Sequence, residues 1–244
     1  MSRGLSALFG VAAYFIFLAT FLYLVAFVGD IPGVPRTISY GREADVSTAV
    51  ITDILLIALF GLQHSVMARK GFKQVWTRYI PEPIERSMYV LVTSAILWIM
   101  FFFWLPIPTT VWRVENPIGA GMLWALFGLG WLIVLLSTFL INHFELFGLR
   151  QVYQNMRGGS AVAPQFRQPF FYKIVRHPLY SGFLIAFWAT PLMTAGHLLF
   201  AVGMSLYIVV AIGYEEKDLI ALFGKDYQDY KSRVGMLSPR FGGK

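Results

Sequence analysis

R-H-P-L-Y-S-G at 176–182, two apolar arms, Y-E-E-K-D-L at 214–219, F-G-K-D-Y-Q-D-Y at 223–230 and S-P at 238–239 form the stretch that decides the fold. The arms run over Phe183–Thr194 and Leu198–Gly213, with only Ala195, Gly196 and His197 between them. So short a connection predicts a helical hairpin, which returns the chain to the side it left. Arg176, His177 and Tyr180 are then expected on the same membrane face as Glu215 and Glu216. A cationic and an acidic cluster brought together in this way suit a zwitterionic ligand. Pro178 disfavours the αR conformation for His177 and is tolerated in a first helical turn. The backbone N–H groups at that helix start favour an anion such as a carboxylate. Paired glutamates beside aromatic residues suit ribose hydroxyls or an ammonium group.

Outward from the hairpin, the composition excludes an ordinary soluble domain. Of 244 residues, 57% are hydrophobic and only 14% charged. Several apolar runs exceed the ~18 residues needed to cross a hydrocarbon core of ~30 Å. The formal charge of +7 does not imply nucleic acid, because the basic residues sit in loops beside apolar spans. The absence of cysteine excludes disulfides, thiolate metal ligands and a cysteine nucleophile. The first apolar run follows only Arg3 and lacks a small-residue cleavage site, so it reads as a retained span.

The pattern predicts an all-α, polytopic membrane helix bundle with six spans, at about 8–28, 46–66, 87–105, 118–141, 183–194 and 198–213. The last span continues through Glu215–Leu222 as an amphipathic cytoplasmic helix that stops near Gly224. Read as alternating loops, 17 of the 20 Lys and Arg residues fall on one face. The positive-inside rule then puts both termini in the cytoplasm. His64, His143 and His177 come to that same face with Arg86, Arg150, Arg176, Glu145, Glu215 and Glu216, whereas His197 goes to the opposite tip. Asp53 is the notable midspan charge and has no assigned role. The chain reads as one domain, 1–244, with N-terminal spans over 8–141 and a ligand-binding half over 142–240.

R-H-P-x-Y-x-G, a hydrophobic hairpin, E-E-x-x-L, F-G-x-x-Y-x-x-Y and a late proline, in that order, resemble the integral-membrane methyltransferases related to isoprenylcysteine carboxyl methyltransferase and phospholipid N-methyltransferases. Q-H-S-V-M-A-R at 63–69, E-R-S-M-Y-V at 85–90 and N-H-F-E-L-F-G-L-R-Q-V at 142–152 narrow the resemblance to the methanethiol S-methyltransferase branch. With them it covers nearly the whole chain. The resemblance implies S-adenosylmethionine as cofactor, a small thiol as acceptor and dimethyl sulfide as product, in a bacterial inner membrane with the active site cytoplasmic. It also implies that His177, Pro178, Tyr180 and Glu215 contact the cofactor. Gln151, Phe166 and Tyr172, with the Pro164–Arg167 segment, fall where the family's loop encloses the adenosine.

A small alkyl thiol is less acidic than cysteine, whose thiol titrates near ~8.5, so a base or a cationic environment should assist it. His64 and His143 are the candidate bases. Arg86 and Arg176 are candidate partners of the thiolate, and Glu216 completes the catalytic set. The carboxyl methyltransferases of the family carry an arginine one turn before the paired acids. Here that neighbourhood is V-V-A-I-G at 209–213, which disfavours a prenylcysteine carboxylate and leaves a thiol unaffected. Alternative readings are a lipid-amine or isoprenoid-acid methyltransferase, and, outside enzymes, a small transporter or sensor. Transporters favour midspan charges and inverted repeats, neither of which is a general feature of this chain. Histidines this far apart in sequence form no metal motif, and no glycine-rich dinucleotide fingerprint occurs.

Overall fold

The computed structural model describes residues 1–159 and 166–240. The described chain is predominantly helical, and five helices are long and apolar enough to cross a membrane. They are α1 (Arg3–Val28), α2 (Val46–Ala68), α4 (Glu85–Phe103), α5 (Pro117–Ile141) and α9 (Ala195–Phe223). Shorter helices are α3 (Lys70–Trp76), α6 (His143–Leu146), α7 (Leu149–Arg157), α8 (Pro178–Trp188) and α10 (Lys225–Arg233). Two short strands, β1 (Thr110–Arg113) and β2 (Leu192–Thr194), pair with each other. The chain divides into two compact units, one of residues 1–110, 142–159 and 194–200, the other of residues 111–141, 166–193 and 201–240.

In the first unit, polar caps start the spans. Ser2 accepts from the Leu5 N–H at 3.3 Å, and Asp45 accepts from the Thr48 N–H at 2.9 Å. Helix α4 packs against both α1 and α2, and α7 lies along α1. Phe27, Phe101, Trp104 and Phe200 form a buried aromatic cluster, and the Trp104 indole donates to the Ile38 carbonyl at 3.1 Å. Asp53, fully buried, accepts from the Leu105 N–H at 3.0 Å and so ties α2 to the end of α4. A second cluster joins Met67, Tyr89 and Val90 to Phe17, Phe72, Trp76 and Phe147. Gly148, at φ +89°, begins α7 with its backbone against Ser87; a Cβ there would lie 2.8 Å from the Ser87 nitrogen. The first N–H groups of α9 are met by loop carbonyls, Ala195 by Thr109 at 2.7 Å and Gly196 by Ile107 at 3.1 Å.

In the second unit, α5 and α8 approach until their backbones touch. A Cβ on Gly130 would lie 2.7 Å from the Ala186 nitrogen, and one on Gly182 would lie 2.7 Å from the Gly130 oxygen. Small residues at such crossings are how membrane helices gain packing without a hydrophobic drive between them. The hairpin is the element whose form differs from expectation. Its turn is not 195–197: α8 ends at Trp188, the chain runs extended through β2, and α9 starts at Ala195. Pro191 is the reason, since it removes an N–H and disfavours the helical region for Thr190. Eleven helical residues cover only about 16 Å, and the six extended ones add about 20 Å, together enough for the hydrocarbon core. Extended backbone in such a place needs partners within the protein. The Thr190 carbonyl takes the Trp112 indole N–H at 3.1 Å, and the Pro191 carbonyl takes the Val114 N–H at 2.8 Å. At the far end, α9 stops at Phe223 and Gly224 takes φ +56°, as the sequence pattern predicts.

The Gly130–Gly182 crossing predicts a steep steric response. Gly182→Val is expected to destabilise the protein by about 2 kcal/mol or more through overpacking. Gly128→Val, at a position where a Cβ meets nothing within 4 Å, is expected to leave thermal unfolding in detergent nearly unchanged. Equal effects of the two substitutions would refute the close crossing.

Candidate functional site

Glu216 is the centre of the second unit's polar cluster. It lies on α9, about two turns before the helix ends at Phe223, and is 5% exposed. Its Oε1 accepts from Arg176 Nε at 2.8 Å and lies 3.2 Å from His177 Nε2, while its Oε2 lies 2.6 Å from Lys231 Nζ. The hairpin thus does return Arg176 and His177 to the acidic pair. Arg176 also donates to the carbonyls of Lys231, at 3.2 Å, and of Val234. The tail then runs beside the R-H-P segment: Arg176 N–H donates to Gly235 O at 2.8 Å and His177 N–H to Met236 O at 3.1 Å. The Ser181 hydroxyl donates to Leu237 O at 2.8 Å. Three segments far apart in sequence are therefore closed around one carboxylate.

Arg176 is buried within this clasp, its charge matched by Glu216 and its N–H groups directed at tail carbonyls. Arg176, a candidate thiolate partner, and Glu216, a candidate of the catalytic set, are thus paired with each other in the second unit. Glu215 differs from its neighbour. Its Oε2 is buried and has no hydrogen-bond partner, with His177 Nδ1 3.8 Å away. His177 caps α8, Pro178 is its first residue, and the Tyr180 ring lies 5.7 Å from the imidazole.

Aromatic rings line the same unit. Phe166 packs against Phe223, Tyr227 and Tyr230 at 5.3–5.9 Å between centroids. The Tyr230 hydroxyl donates to the Tyr172 carbonyl at 2.5 Å, and burial pushes its phenol up to about 12. Burial, reinforced by Glu215, also raises the Tyr172 phenol. Of the Pro164–Arg167 segment, Pro164 and Gln165 lie outside the described residues. Tyr227 was not singled out from sequence; its position in F-G-x-x-Y was the available signal.

The remaining candidates belong to the first unit. His64 Nε2 lies 2.8 Å from the Tyr89 hydroxyl, and the Phe60 ring stacks on the imidazole. Arg86 Nε donates to the Leu146 carbonyl at 2.7 Å, and its guanidinium lies 4.9 Å over the Tyr89 ring. Tyr89 therefore joins His64 and Arg86, a role that spacing in E-R-S-M-Y-V did not disclose. His143 is 6% exposed, with Nε2 2.8 Å from the Tyr14 hydroxyl. Burial lowers its affinity for a proton, so the neutral ring is favoured. Gln151 donates to the Glu145 carbonyl at 3.0 Å, and its own oxygen is buried without a partner. Gln151 thus sits on α7 in the first unit, whereas Phe166 and Tyr172 are in the second.

Long apolar helices with ionisable groups gathered at span ends define an integral membrane protein of the polytopic helical class. Comparison with known proteins narrows this. The chain is 51% identical to a methanethiol S-methyltransferase of Mycobacterium tuberculosis, over 98% of each chain. It is 49% identical to one of Crocosphaera subtropica, over all of this chain and 95% of the relative. A more distant match is Nurim of Bos taurus, at 28% identity over 73% of this chain and 71% of that protein. No family model and no solved structure matches. The chain belongs to the methanethiol S-methyltransferase family, and it is a membrane-bound methyltransferase.

The clasp predicts an order of stabilities. Arg176→Met removes one partner of a buried pair, and the cost is expected at about 3–5 kcal/mol. Lys231→Ala removes a half-exposed partner of the same carboxylate and is expected to cost about 1 kcal/mol or less. Thermal unfolding in detergent measures both, and the reverse order would remove Arg176 from the centre of the cluster.

Proposed function

We propose that this protein transfers a methyl group from S-adenosylmethionine to methanethiol, giving dimethyl sulfide. The observation that carries this reading is identity of about 50% along almost the whole chain to relatives named methanethiol S-methyltransferase. The second unit supplies independent support for the donor. Buried Glu215 Oε2 lacks a hydrogen-bond partner, as expected of an acceptor meant for a ligand hydroxyl. His177 and the aromatic rings of Phe166 and Tyr180 add a charge-sensitive, partly apolar surface that fits a nucleoside bearing a sulfonium. In this reading Glu215, His177, Pro178, Tyr180, Phe166 and Tyr172, all of the second unit, hold the donor. Arg176 and Glu216 keep them in place.

Bound S-adenosylmethionine supplies an electrophilic methyl carbon. The chain's own task is to orient the acceptor and take up its proton. His64 and His143 are the proton acceptors proposed, each with a tyrosine hydroxyl at 2.8 Å to orient the ring. Arg86, beside Tyr89, offers positive charge for the thiolate. The thiol proton would pass to an imidazole as the acceptor sulfur takes the methyl group, with the donor's methyl–sulfonium bond breaking and S-adenosylhomocysteine leaving. The uncharged V-V-A-I-G segment at 209–213 favours an acceptor without a carboxylate. Methanethiol is membrane-permeant and needs no transporter.

Purified protein given methyl-labelled S-adenosylmethionine and methanethiol is expected to release labelled dimethyl sulfide. Replacing whichever histidine is the base by Ala should lower turnover far more than donor affinity, with partial recovery at higher pH, where the thiol ionises unaided. Labelling of a prenylcysteine or a lipid amine in place of the thiol would overturn the acceptor.

We also propose that both termini and the reaction chemistry are cytoplasmic, in a bacterial inner membrane. The support is the distribution of 17 of 20 Lys and Arg residues. A reporter after Lys244 should behave as cytoplasmic and one inserted at Ala195–Gly196 as external. An external signal from the first fusion would refute the orientation.

A further inference from the structure

We infer that Tyr227 is a further donor-binding residue, its hydroxyl and Glu215 Oε2 acting as the hydrogen-bond donor and acceptor for the ribose hydroxyls of the methyl donor. The inference rests on the S-adenosylmethionine reading above and assigns that site a residue and a contact it does not contain.

The argument begins with two tyrosines on one helix. Tyr227 and Tyr230 lie three residues apart on α10 and are buried alike, at 2% and 3% exposure. The Tyr230 hydroxyl donates to the Tyr172 carbonyl at 2.5 Å, whereas the buried Tyr227 hydroxyl has no partner. A buried, unpaired hydroxyl is a net cost to the folded protein. Ring packing does not require it, because Phe166 at 5.9 Å and Tyr230 at 5.7 Å would meet a phenylalanine equally well. A polar atom that costs stability and serves no internal contact is the mark of a group reserved for a ligand.

Glu215 Oε2 is a carboxylate oxygen of the same unit that is likewise buried without a hydrogen-bond partner. The two groups sense each other: burial first, then the charges of Glu216 and Glu215, raise the Tyr227 phenol, with Arg176 opposing. The phenol therefore stays protonated and donates, while a carboxylate oxygen accepts. Glu216 cannot substitute, since both of its oxygens are engaged by Arg176, His177 and Lys231. A ligand that answers one donor and one acceptor must present a hydroxyl that gives a proton and an oxygen that receives one. A vicinal diol does both, and ribose is the part of the methyl donor that carries one.

The test uses the full chain in detergent with S-adenosylhomocysteine, and with its 2′,3′-dideoxy analogue, as probes. Tyr227→Phe is expected to leave the ligand-free Tm unchanged or raised, because it removes an unpaired polar atom. The same substitution should weaken S-adenosylhomocysteine about fivefold to tenfold, the loss of one hydrogen bond. For the dideoxy analogue, wild type and Tyr227→Phe should bind alike. Tyr230→Phe should do the opposite, lowering the ligand-free Tm while leaving affinity nearly unchanged. If Tyr227→Phe lowers the ligand-free Tm or fails to fold, the hydroxyl is structural and the inference is wrong. If wild type binds S-adenosylhomocysteine and Tyr227→Phe binds it equally, the inference falls while the donor reading stands. A wild-type protein that does not bind the probe overturns both.

Discussion

One carboxylate organises the C-terminal half of this protein. Glu216, almost fully buried, is met by Arg176 from the segment before α8, by His177 at the helix start and by Lys231 from α10. A charge in that position is tolerable only with such partners, since its desolvation would otherwise cost several kcal/mol. The same guanidinium reaches the carbonyls of Lys231 and Val234, so the ion pair also sets the path of the tail. Glu215 is then left with a buried oxygen that accepts no hydrogen bond, His177 Nδ1 lying 3.8 Å away. Adjacent glutamates therefore differ: one is held by three basic groups, and the other keeps an oxygen without a hydrogen-bond donor.

The hairpin that brings these ends together is not a pair of equal helices. Pro191 ends the first arm early, and the extended stretch that follows is stabilised by the indole of Trp112 and the backbone of Val114. Because the arm is short, it depends on its neighbour, and Gly130 against Gly182 lets α8 settle on α5 at backbone contact. Function at the polar end thus depends on packing at the apolar one. If α8 could not seat on α5, the R-H-P segment would lose its fixed relation to Glu216.

The two histidines proposed as proton acceptors share one arrangement in the first unit. His64 pairs with Tyr89 and His143 with Tyr14, each at 2.8 Å. Tyrosine can orient an imidazole without adding a charge, which keeps the ring neutral and able to accept a proton. A carboxylate partner would instead favour the imidazolium. For an acceptor as weakly acidic as an alkyl thiol, a neutral base with its ring held is the more useful arrangement.

Membrane class, charge bias and the juxtaposition of Arg176 and His177 with the paired glutamates were determined by the sequence, whereas its six spans became five long helices and the shorter α8. Each follows from local facts: long apolar runs, basic loops, and two apolar arms in succession that bring the chain back, although the join falls at 189–194 and not at 195–197. The family was legible for the same reason, because its motifs are contiguous and ordered. The tertiary structure alone decided which of the polar residues are already satisfied. Glu215 and Glu216 are neighbours of identical chemistry, and so are Tyr227 and Tyr230, yet one of each pair is engaged and the other is not. That distinction depends on where Lys231, the tail carbonyls and Tyr172 come to lie, and no local pattern encodes those distances. The early end of α8 was written in Pro191, but only the pairing of β1 with β2 shows how the freed backbone is satisfied.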